Sequence, residues 1–275
     1  MIKSFLTNEL DYFKPILGRS EKYSIKELEL FRKETVRERK RRVSIELYNL
    51  LCGSVKYGPF KNMKLESTTW WSSLDLGSMC LGEYEKELLI ELTTSTKGRD
   101  NLTFIDIGAA DGYYAVGMLF GKYVAKSICF EISEKGRDSI KKNWEKNNSL
   151  GQLLIYGDVF EDFDSNTKEL DLSHCIILID IEGLEFDFLS DNRLKIFSGA
   201  TIFIEIHHWV SNFLSKYENL LMLCDKYFNI DIIQPLQKNT DLFEELREFT
   251  DDNRYLIFSE SRPSQMRFLK LTPRK

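Results

Sequence analysis

Five short apolar runs, each followed by a helix-like stretch, constrain the fold of this chain more than any other feature. The runs lie at 102–107, 125–131, 152–156, 175–181 and 200–206. Helical patterns lie at 113–122, 133–147, 185–197 and 211–227. The runs are almost continuously apolar, as strands covered on both faces are. The alternation therefore predicts an α/β fold, a doubly wound, mostly parallel Rossmann-like sheet with helices on both faces.

The first eighty residues are predicted to form a helical and irregular cap ahead of this sheet. Apolar residues recur at helical spacing over 24–51, and Gly53 is a credible end to that helix. Residues 53–82 are rich in Gly, Ser and Trp and predict an irregular, lid-like connection. We therefore expect an N-terminal cap over 1–80 and a Rossmann-like domain over 81–275.

The tail contains three further apolar stretches, which read FNIDIIQ, YLIF and MRFLKL. Short apolar runs of this kind predict closing antiparallel strands. The intervening residues 235–253 include an acidic, helix-like stretch. We expect this segment to be inserted over the functional site.

Charge and cysteine usage exclude several classes of protein. The net charge of −5 argues against a broad nucleic-acid surface. A basic stretch at 32–42 is interpreted as a solvated helix face rather than a phosphate contact. Five cysteines without a CxxC pair predict reduced thiols in a cytoplasmic protein. No run approaches the ~20 apolar residues of a membrane span, and the N-terminal helix offers a surface for a possible homo-oligomer.

A turn of small residues and carboxylates follows the first predicted strand. Its members are Asp106, Gly108, Ala110, Asp111 and Gly112. The small side chains of this turn suggest that a flat ligand approaches its backbone. Dinucleotide sites carry GxGxxG at this position, and two carboxylates would repel a pyrophosphate. S-adenosylmethionine carries an ammonium, a sulfonium and no phosphate, so the turn favours this cofactor over NAD.

Acids also end the next two predicted strands. Glu131 is placed to accept both ribose hydroxyls of a nucleoside, and Asp158 to accept from the adenine amino group. The alternative is that such acids only cap the helices that follow. Three acids at successive strand ends favour the nucleoside cofactor.

Together these segments resemble a known family. FIDIGAADGYYAVG, CFEIS, GDVF, ILIDIEGLEFDFL and FIEIHH are similar to class I S-adenosylmethionine-dependent methyltransferases. The closest resemblance is to the FkbM-like branch, with its D-[VI]-E-G-x-E segment after the fourth strand, and it covers roughly residues 80–210. Ala110 departs from the family pattern, in which a glycine is common. The resemblance implies methylation of a hydroxyl, often on a sugar or polyketide-like acceptor.

A second cluster of polar residues ends the fourth and fifth predicted strands. Its members are Asp180, Glu182, Glu185, Glu205, His207 and His208. In one mechanism His207 or His208 is a general base oriented by Glu205 or Asp180. In the other, Asp180, Glu205 and His207 hold Mg²⁺ or Mn²⁺, which activates the acceptor hydroxyl. Resemblance to metal-assisted catechol and sugar methyltransferases supports the second. Glu185 is interpreted as a helix cap.

These observations lead to one principal prediction and its alternatives. We expect an enzyme, an S-adenosylmethionine-dependent O-methyltransferase acting on a glycan or small-molecule acceptor, with Asp180 near both cofactor and acceptor. A nucleic-acid methyltransferase would rest on the basic stretch alone. A catalytically silent scaffold would retain the fold without turnover.

Overall fold

A seven-stranded sheet forms the centre of the protein. The computed structural model describes residues 33–262, 264 and 266–274, together with Thr7, Asp11 and Lys14. The strands are β1 Thr103–Ile107, β2 Lys126–Phe130, β3 Gln152–Tyr156, β4 Cys175–Ile179, β5 Thr201–Ile206, β6 Phe228–Ile232 and β7 Arg267–Pro273. Their order is β3-β2-β1-β4-β5-β7-β6, and β7 runs antiparallel to both of its neighbours. The doubly wound, mostly parallel sheet is therefore confirmed.

Ten α-helices are found in the described part of the chain. They are α1 Val36–Leu50, α2 Leu76–Leu81, α3 Lys86–Thr94, α4 Tyr113–Phe120, α5 Glu134–Lys146, α6 Val159–Thr167, α7 Glu185–Phe188, α8 Asp191–Ile196, α9 Phe213–Asp225 and α10 Asp251–Phe258. None of the helices in the described residues has the length and apolarity that crossing a membrane requires.

The first five predicted strands agree with the structure to within two residues at each end. FNIDIIQ and MRFLKL supply β6 and β7, as expected. YLIF does not form a strand but ends α10, whose N-terminus is capped by the Thr250 side chain accepting from the Asn253 N–H. The helix expected over 185–197 is divided into α7 and α8, because Ser190 caps a new helix within it.

Strand register brings the candidate site together. Asp106 on β1 lies opposite Leu178 on β4, and the Asp180 N–H donates to the Ile107 carbonyl at 2.9 Å. The sequence order reverses between β1 and β4, which makes their carboxyl ends the ligand-binding crevice of such a sheet. The acids at the carboxyl ends of four strands therefore meet at one edge, namely Asp106 of β1, Glu131 after β2, Asp180 after β4 and Glu205 of β5.

Hydrophobic cores cover both faces of the sheet. One core includes Phe104 and Leu178 of the sheet and also Val55, Phe60 and Met63 of the segment before α2. The other packs strand residues such as Ile105 and Ile177 against helices α6 to α9. Residues 53–82, expected to be irregular, thus include the short helix α2 and pack into the main core. The cap over 1–80 remains a prediction, since most of residues 1–32 lie outside the described part.

Helix α1 carries most of the basic stretch, and three of its basic residues contact polar partners within the protein. Lys40 is buried, with its Nζ 2.6 Å from Asp75 Oδ1. Arg39 donates to Asn253, and Arg42 contacts Glu34 at 2.7 Å. The exposed Arg37, Glu38 and Arg41 agree with the predicted solvated face, whereas Lys40 departs from it and anchors the helix internally. Arg32 and the helical pattern over 24–32 lie outside the described residues.

The segment expected over the functional site lies elsewhere. Residues Phe243, Leu246 and Phe249 pack against Val43 and Leu47 of α1 in a third, smaller core. The expectation that residues 235–253 cover the site was wrong. The apolar side chains of this segment pack against α1 and not against the carboxyl edge of the sheet. The chain reaches the site only afterwards, through Glu260, Arg262 and Met266.

Candidate active site

A cavity of about 480 Å³ opens at the carboxyl edge of the sheet. This volume is typical of sites for small ligands. Eleven carboxylates belong to its lining, contributed by Glu66, Asp75, Glu85, Asp106, Asp111, Glu131, Asp158, Asp180, Glu182, Glu205 and Glu260. Among the described lining residues, Arg262 is the only lysine or arginine. Acidic side chains therefore outnumber basic ones in the lining, which suits a cationic ligand.

The small residues of the β1–α4 turn are required by packing. At Gly108, with φ of +88°, an added Cβ would overlap the Asp180 carbonyl oxygen. At Gly112, with φ of +79°, it would press on Ile140. Ala110 also adopts a left-handed conformation, with φ of +47°, where glycine is favoured. Gly108 and Ala110 line the cavity, but neighbouring protein atoms rather than a ligand are what exclude larger side chains at the glycines.

Asp106 presents an unpartnered carboxylate oxygen to this cavity. The residue is 2% exposed, and its Oδ2 has no hydrogen-bond partner. Burial, with the nearby charge of Asp180, raises the pKa of Asp106 to about 8. A buried polar atom without a partner is costly, which makes this oxygen a candidate contact for a ligand.

The other predicted cofactor acids already hold backbone groups. Glu131 accepts from the N–H groups of Ala110 and Ser133, both at 2.8 Å, and burial raises its pKa. Asp158 caps α6 by accepting from the Phe160 N–H at 2.9 Å. Both residues also line the cavity. Asp158 therefore caps the helix that follows it, as the alternative interpretation proposed. Glu131 holds the β1–α4 turn through the Ala110 N–H and also lines the cavity.

Asp111 fastens a tryptophan-bearing loop over the cavity. Its Oδ1 accepts from the Trp70 N–H at 2.8 Å and its Oδ2 from the Trp71 N–H at 3.2 Å. Both tryptophans line the cavity mouth. Asp111 thus positions this loop. It also lines the cavity, and its role in cofactor binding stays a prediction.

His207 is the centre of the second cluster. Its Nε2 lies 3.4 Å from Asp180 and 3.8 Å from both Glu182 and Glu205. Burial opposes protonation of the imidazole, but the hydrogen bonds and charges of Asp180 and Glu185 outweigh it and raise the pKa of His207 to about 9. The imidazole is therefore protonated at neutral pH in the protein without ligands.

Glu205 contacts both His207 and Arg262, the arginine of the described cavity lining. Burial, with the charges of Asp180 and Glu85, raises its pKa well above the ordinary value, although Arg262 at 2.7 Å opposes this. Ligand atoms of Asp180, Glu205 and His207 all lie within 4.8 Å of one another. Two carboxylates and an imidazole fit a divalent cation such as Mg²⁺ or Mn²⁺.

His208 points away from this cluster. It is exposed, and its Nε2 lies 3.1 Å from the Ser264 hydroxyl. Alternation along the chain explains the difference, because successive side chains leave a strand end on opposite faces. The structure therefore does not bring His208 to the candidate catalytic residues, and its prediction as an alternative base was wrong.

Solved structures of methyltransferases are similar to this chain. An rRNA methylase from Streptococcus thermophilus is 9% identical over 69% of this chain and 97% of that one, with a TM-score of 0.47. A ribosomal protein L11 methylase from Lactobacillus delbrueckii is 15% identical over 80% and 91%, with a TM-score of 0.42. A precorrin-6y C5,15-methyltransferase from Geobacter metallireducens is 10% identical over 67% and 87%, with a TM-score of 0.43.

No protein-family model matches the chain, and no curated protein does. Similarity at the level of these solved structures does not transfer an activity or an acceptor to the chain. The FkbM-like resemblance therefore stays a prediction that depends on the motifs alone.

Three residues near the site were missed or misjudged from the sequence. Glu185, taken for a helix cap, is fully buried and contacts His207. Glu85 is buried and bonded to Tyr114 and Arg262, with a pKa raised to about 7, chiefly by burial. Arg262 contacts Glu85, Glu205 and Glu260. A weak signal existed only for Glu185, the last acid of DIEGLE. Glu85 and Arg262 are far apart in sequence and no local pattern relates them.

Proposed function

We propose that the protein is an S-adenosylmethionine-dependent methyltransferase that methylates a hydroxyl of a glycan or small-molecule acceptor. The observation that carries this proposal is the acidic cavity, whose described lining holds eleven acidic residues and two basic ones, Arg262 and His207. A cationic nucleoside is attracted there, whereas a pyrophosphate is repelled. The buried, unpartnered Oδ2 of Asp106 fits the ammonium group of such a cofactor.

The cofactor supplies a methyl group on a positively charged sulfur, and the protein must align it with the acceptor oxygen. Asp106 would hold the ammonium at the end of β1, and Glu131 and Asp158 would face the nucleoside. Asp180 lies at the carboxyl end of β4, within reach of both Asp106 and His207. This order along the sheet edge supports in-line transfer towards the His207 cluster.

Removal of the acceptor proton falls to Asp180, Glu205 and His207. The pKa of His207, raised to about 9, leaves its imidazole protonated at neutral pH and therefore unable to act as a free base. A divalent cation held by these three residues would displace that proton and lower the pKa of a bound acceptor hydroxyl, whose proton would pass to solvent. The metal-assisted mechanism is supported by the ligand atoms of these three residues, which lie within 4.8 Å of one another.

Chelation separates the two mechanisms. We expect turnover to fall on removal of divalent cations and to return with Mg²⁺ or Mn²⁺. An Asp180→Asn variant should lose this response, while Asp100→Asn, an exposed acid at the opposite end of the sheet, should keep it. If a chelator does not change turnover, the metal-assisted mechanism is contradicted, and the mechanism with His207 as general base is favoured.

Transfer of labelled methyl groups tests the acceptor class. Incubation with methyl-labelled S-adenosylmethionine and a cell extract should place label in saccharide or small-molecule fractions that resist nuclease. Nuclease-sensitive label would instead identify a nucleic-acid methyltransferase. The basic stretch gives little support to that alternative, because its central lysine is buried against Asp75.

A further inference from the structure

A fully buried carboxylate lies directly behind His207. Glu185 is 0% exposed and does not belong to the cavity lining. Its Oε1 accepts from the His207 backbone N–H at 2.9 Å and lies 3.2 Å from His207 Nδ1. Its Oε2 accepts from the Gly183 N–H at 2.9 Å. Both oxygens are therefore engaged, and the side chain has a single orientation.

The two nitrogens of His207 face different surroundings. Nδ1 faces Glu185, away from the cavity, whereas Nε2 faces Asp180, Glu182 and Glu205. Both nitrogens face carboxylates, which accept hydrogen bonds, but the contact of Nδ1 with the fully buried Glu185 is 3.2 Å, against 3.4 Å from Nε2 to the partly exposed Asp180. The shorter and more buried contact favours the proton on Nδ1. The hydrogen bond at one ring nitrogen decides which nitrogen remains for chemistry.

We propose that Glu185 is a positioning residue, which holds His207 with Nδ1 protonated and directs Nε2 into the cavity as the reactive nitrogen. This role rests on the proposed function, since it matters for catalysis only if His207 acts there. Glu185 also joins the segment after β4 to the end of β5, through Gly183 and the His207 backbone. The carboxylate thereby fixes both the place and the tautomer of the imidazole.

The tautomer can be measured without any substrate. The chain has three histidines, so the ¹⁵N-labelled imidazoles give three signal sets, assigned by replacing His174 and His208 in turn. In the neutral imidazole, we expect the Nδ1–H form to predominate over the Nε2–H form severalfold, because the contact of Nδ1 with Glu185 is shorter and more buried than that of Nε2 with Asp180. A predominant Nε2–H form in the unaltered protein would overturn the proposal, and this measurement needs no variant to fold.

A matched pair of variants tests the cause. In Glu185→Gln, the amide donor must face either Gly183 or His207, which both present N–H donors, so the tautomer ratio should fall severalfold. Glu182→Gln removes a neighbouring acid 3.8 Å from Nε2 and should leave the Nδ1–H form dominant. An unchanged ratio in Glu185→Gln would overturn the role of Glu185.

Binding of S-adenosylhomocysteine distinguishes the two proposals. Because Glu185 lies outside the cavity lining, Glu185→Gln should retain the affinity of the unaltered protein for this product. Failure of the unaltered protein to bind it would contradict the proposed function while leaving the tautomer result unaffected. Loss of binding in Glu185→Gln alone would show a general disruption of the site and contradict the positioning role.

Discussion

At the scale of single residues, Asp106 combines a cost in stability with a function. Its burial raises its pKa to about 8, so the native state retains a proton that the unfolded chain loses near pH 4. The free energy of unfolding contributed by this group therefore falls as the pH rises from about 4 to 8. A buried acid that lowers the stability of the protein in this way is expected at a binding site, where a ligand group contacts the carboxyl.

Replacing Asp106 by Asn should therefore stabilise the protein and weaken cofactor binding. At pH 9 we expect the free energy of unfolding to rise by a few kcal/mol, because one pKa unit corresponds to about 1.4 kcal/mol. Denaturant unfolding at several pH values measures this gain, which should shrink towards pH 5. Asp100→Asn serves as the exposed control. A variant that is destabilised at pH 9, or that binds the cofactor unchanged, would contradict this account of Asp106.

Ala110 offers a second test at this scale. Its φ of +47° costs an L-residue about 1–2 kcal/mol, part of which glycine regains despite its greater flexibility when unfolded. Ala110→Gly is expected to raise the free energy of unfolding by about 0.5–1 kcal/mol. The adjacent Ala109→Gly, at a position without positive φ, should lower it. Equal effects in thermal unfolding would show that the conformation of Ala110 carries no strain.

The sequence predicted which residues form the turn but gave the wrong reason for two of them. Small side chains at Gly108 and Gly112 suggested a flat ligand, whereas the Asp180 carbonyl occupies the space at Gly108, and a φ of +79° beside Ile140 favours glycine at Gly112. Such contacts join residues about 30 to 70 positions apart, and no local pattern reveals them. Charge is a local property, and for this reason the anionic nature of the site was predictable.

At the scale of elements, the ion pair of Lys40 and Asp75 fastens α1 to the wall of the cavity. Lys40 also donates to the Ser261 hydroxyl at 3.1 Å, next to Arg262. The pair therefore connects the N-terminal helix with two segments that line the site. Amphipathic spacing predicted the existence of α1 but not its anchor, because a lysine in a charged run is usually solvated.

Breaking this pair should be costly. Lys40→Ala leaves Asp75 buried without its cation, and the expected loss is about 3–5 kcal/mol of unfolding free energy near neutral pH. Burial already raises the pKa of Asp75, so protonation should reduce the loss at acid pH. Arg41→Ala, an exposed change on the same helix, should stay within about 0.5 kcal/mol. Denaturant unfolding of both variants at pH 5 and pH 8 measures the difference, and equal losses would contradict the anchoring role.

The strands were predicted more accurately than the tail. Continuous apolar runs bounded by turn residues identify buried strands, and β1 to β5 follow that rule closely. YLIF is equally apolar, but the capped, acidic first turn that precedes it starts a helix. Local hydrophobicity alone could not separate these outcomes.

At the scale of the whole molecule, the cavity is assembled from segments distant in sequence. Its described lining includes Trp70, Glu85, Asp106, Glu131, Asp158, Asp180, His207 and Arg262. The sequence could predict the strand-end acids because the fold class places them at one edge. It could not predict Glu85 and Arg262, since their positions depend on how the N-terminal and C-terminal segments close over that edge.

The central claim is that this anionic cavity binds a cationic nucleoside and not a phosphate-bearing one. Calorimetric titration of the protein with S-adenosylmethionine, S-adenosylhomocysteine and NAD tests it most directly. We predict saturable binding of the first two at one shared site, with weakening by Asp106→Asn, and no binding of NAD. Saturable binding of NAD without binding of either sulfur nucleoside would contradict the claim.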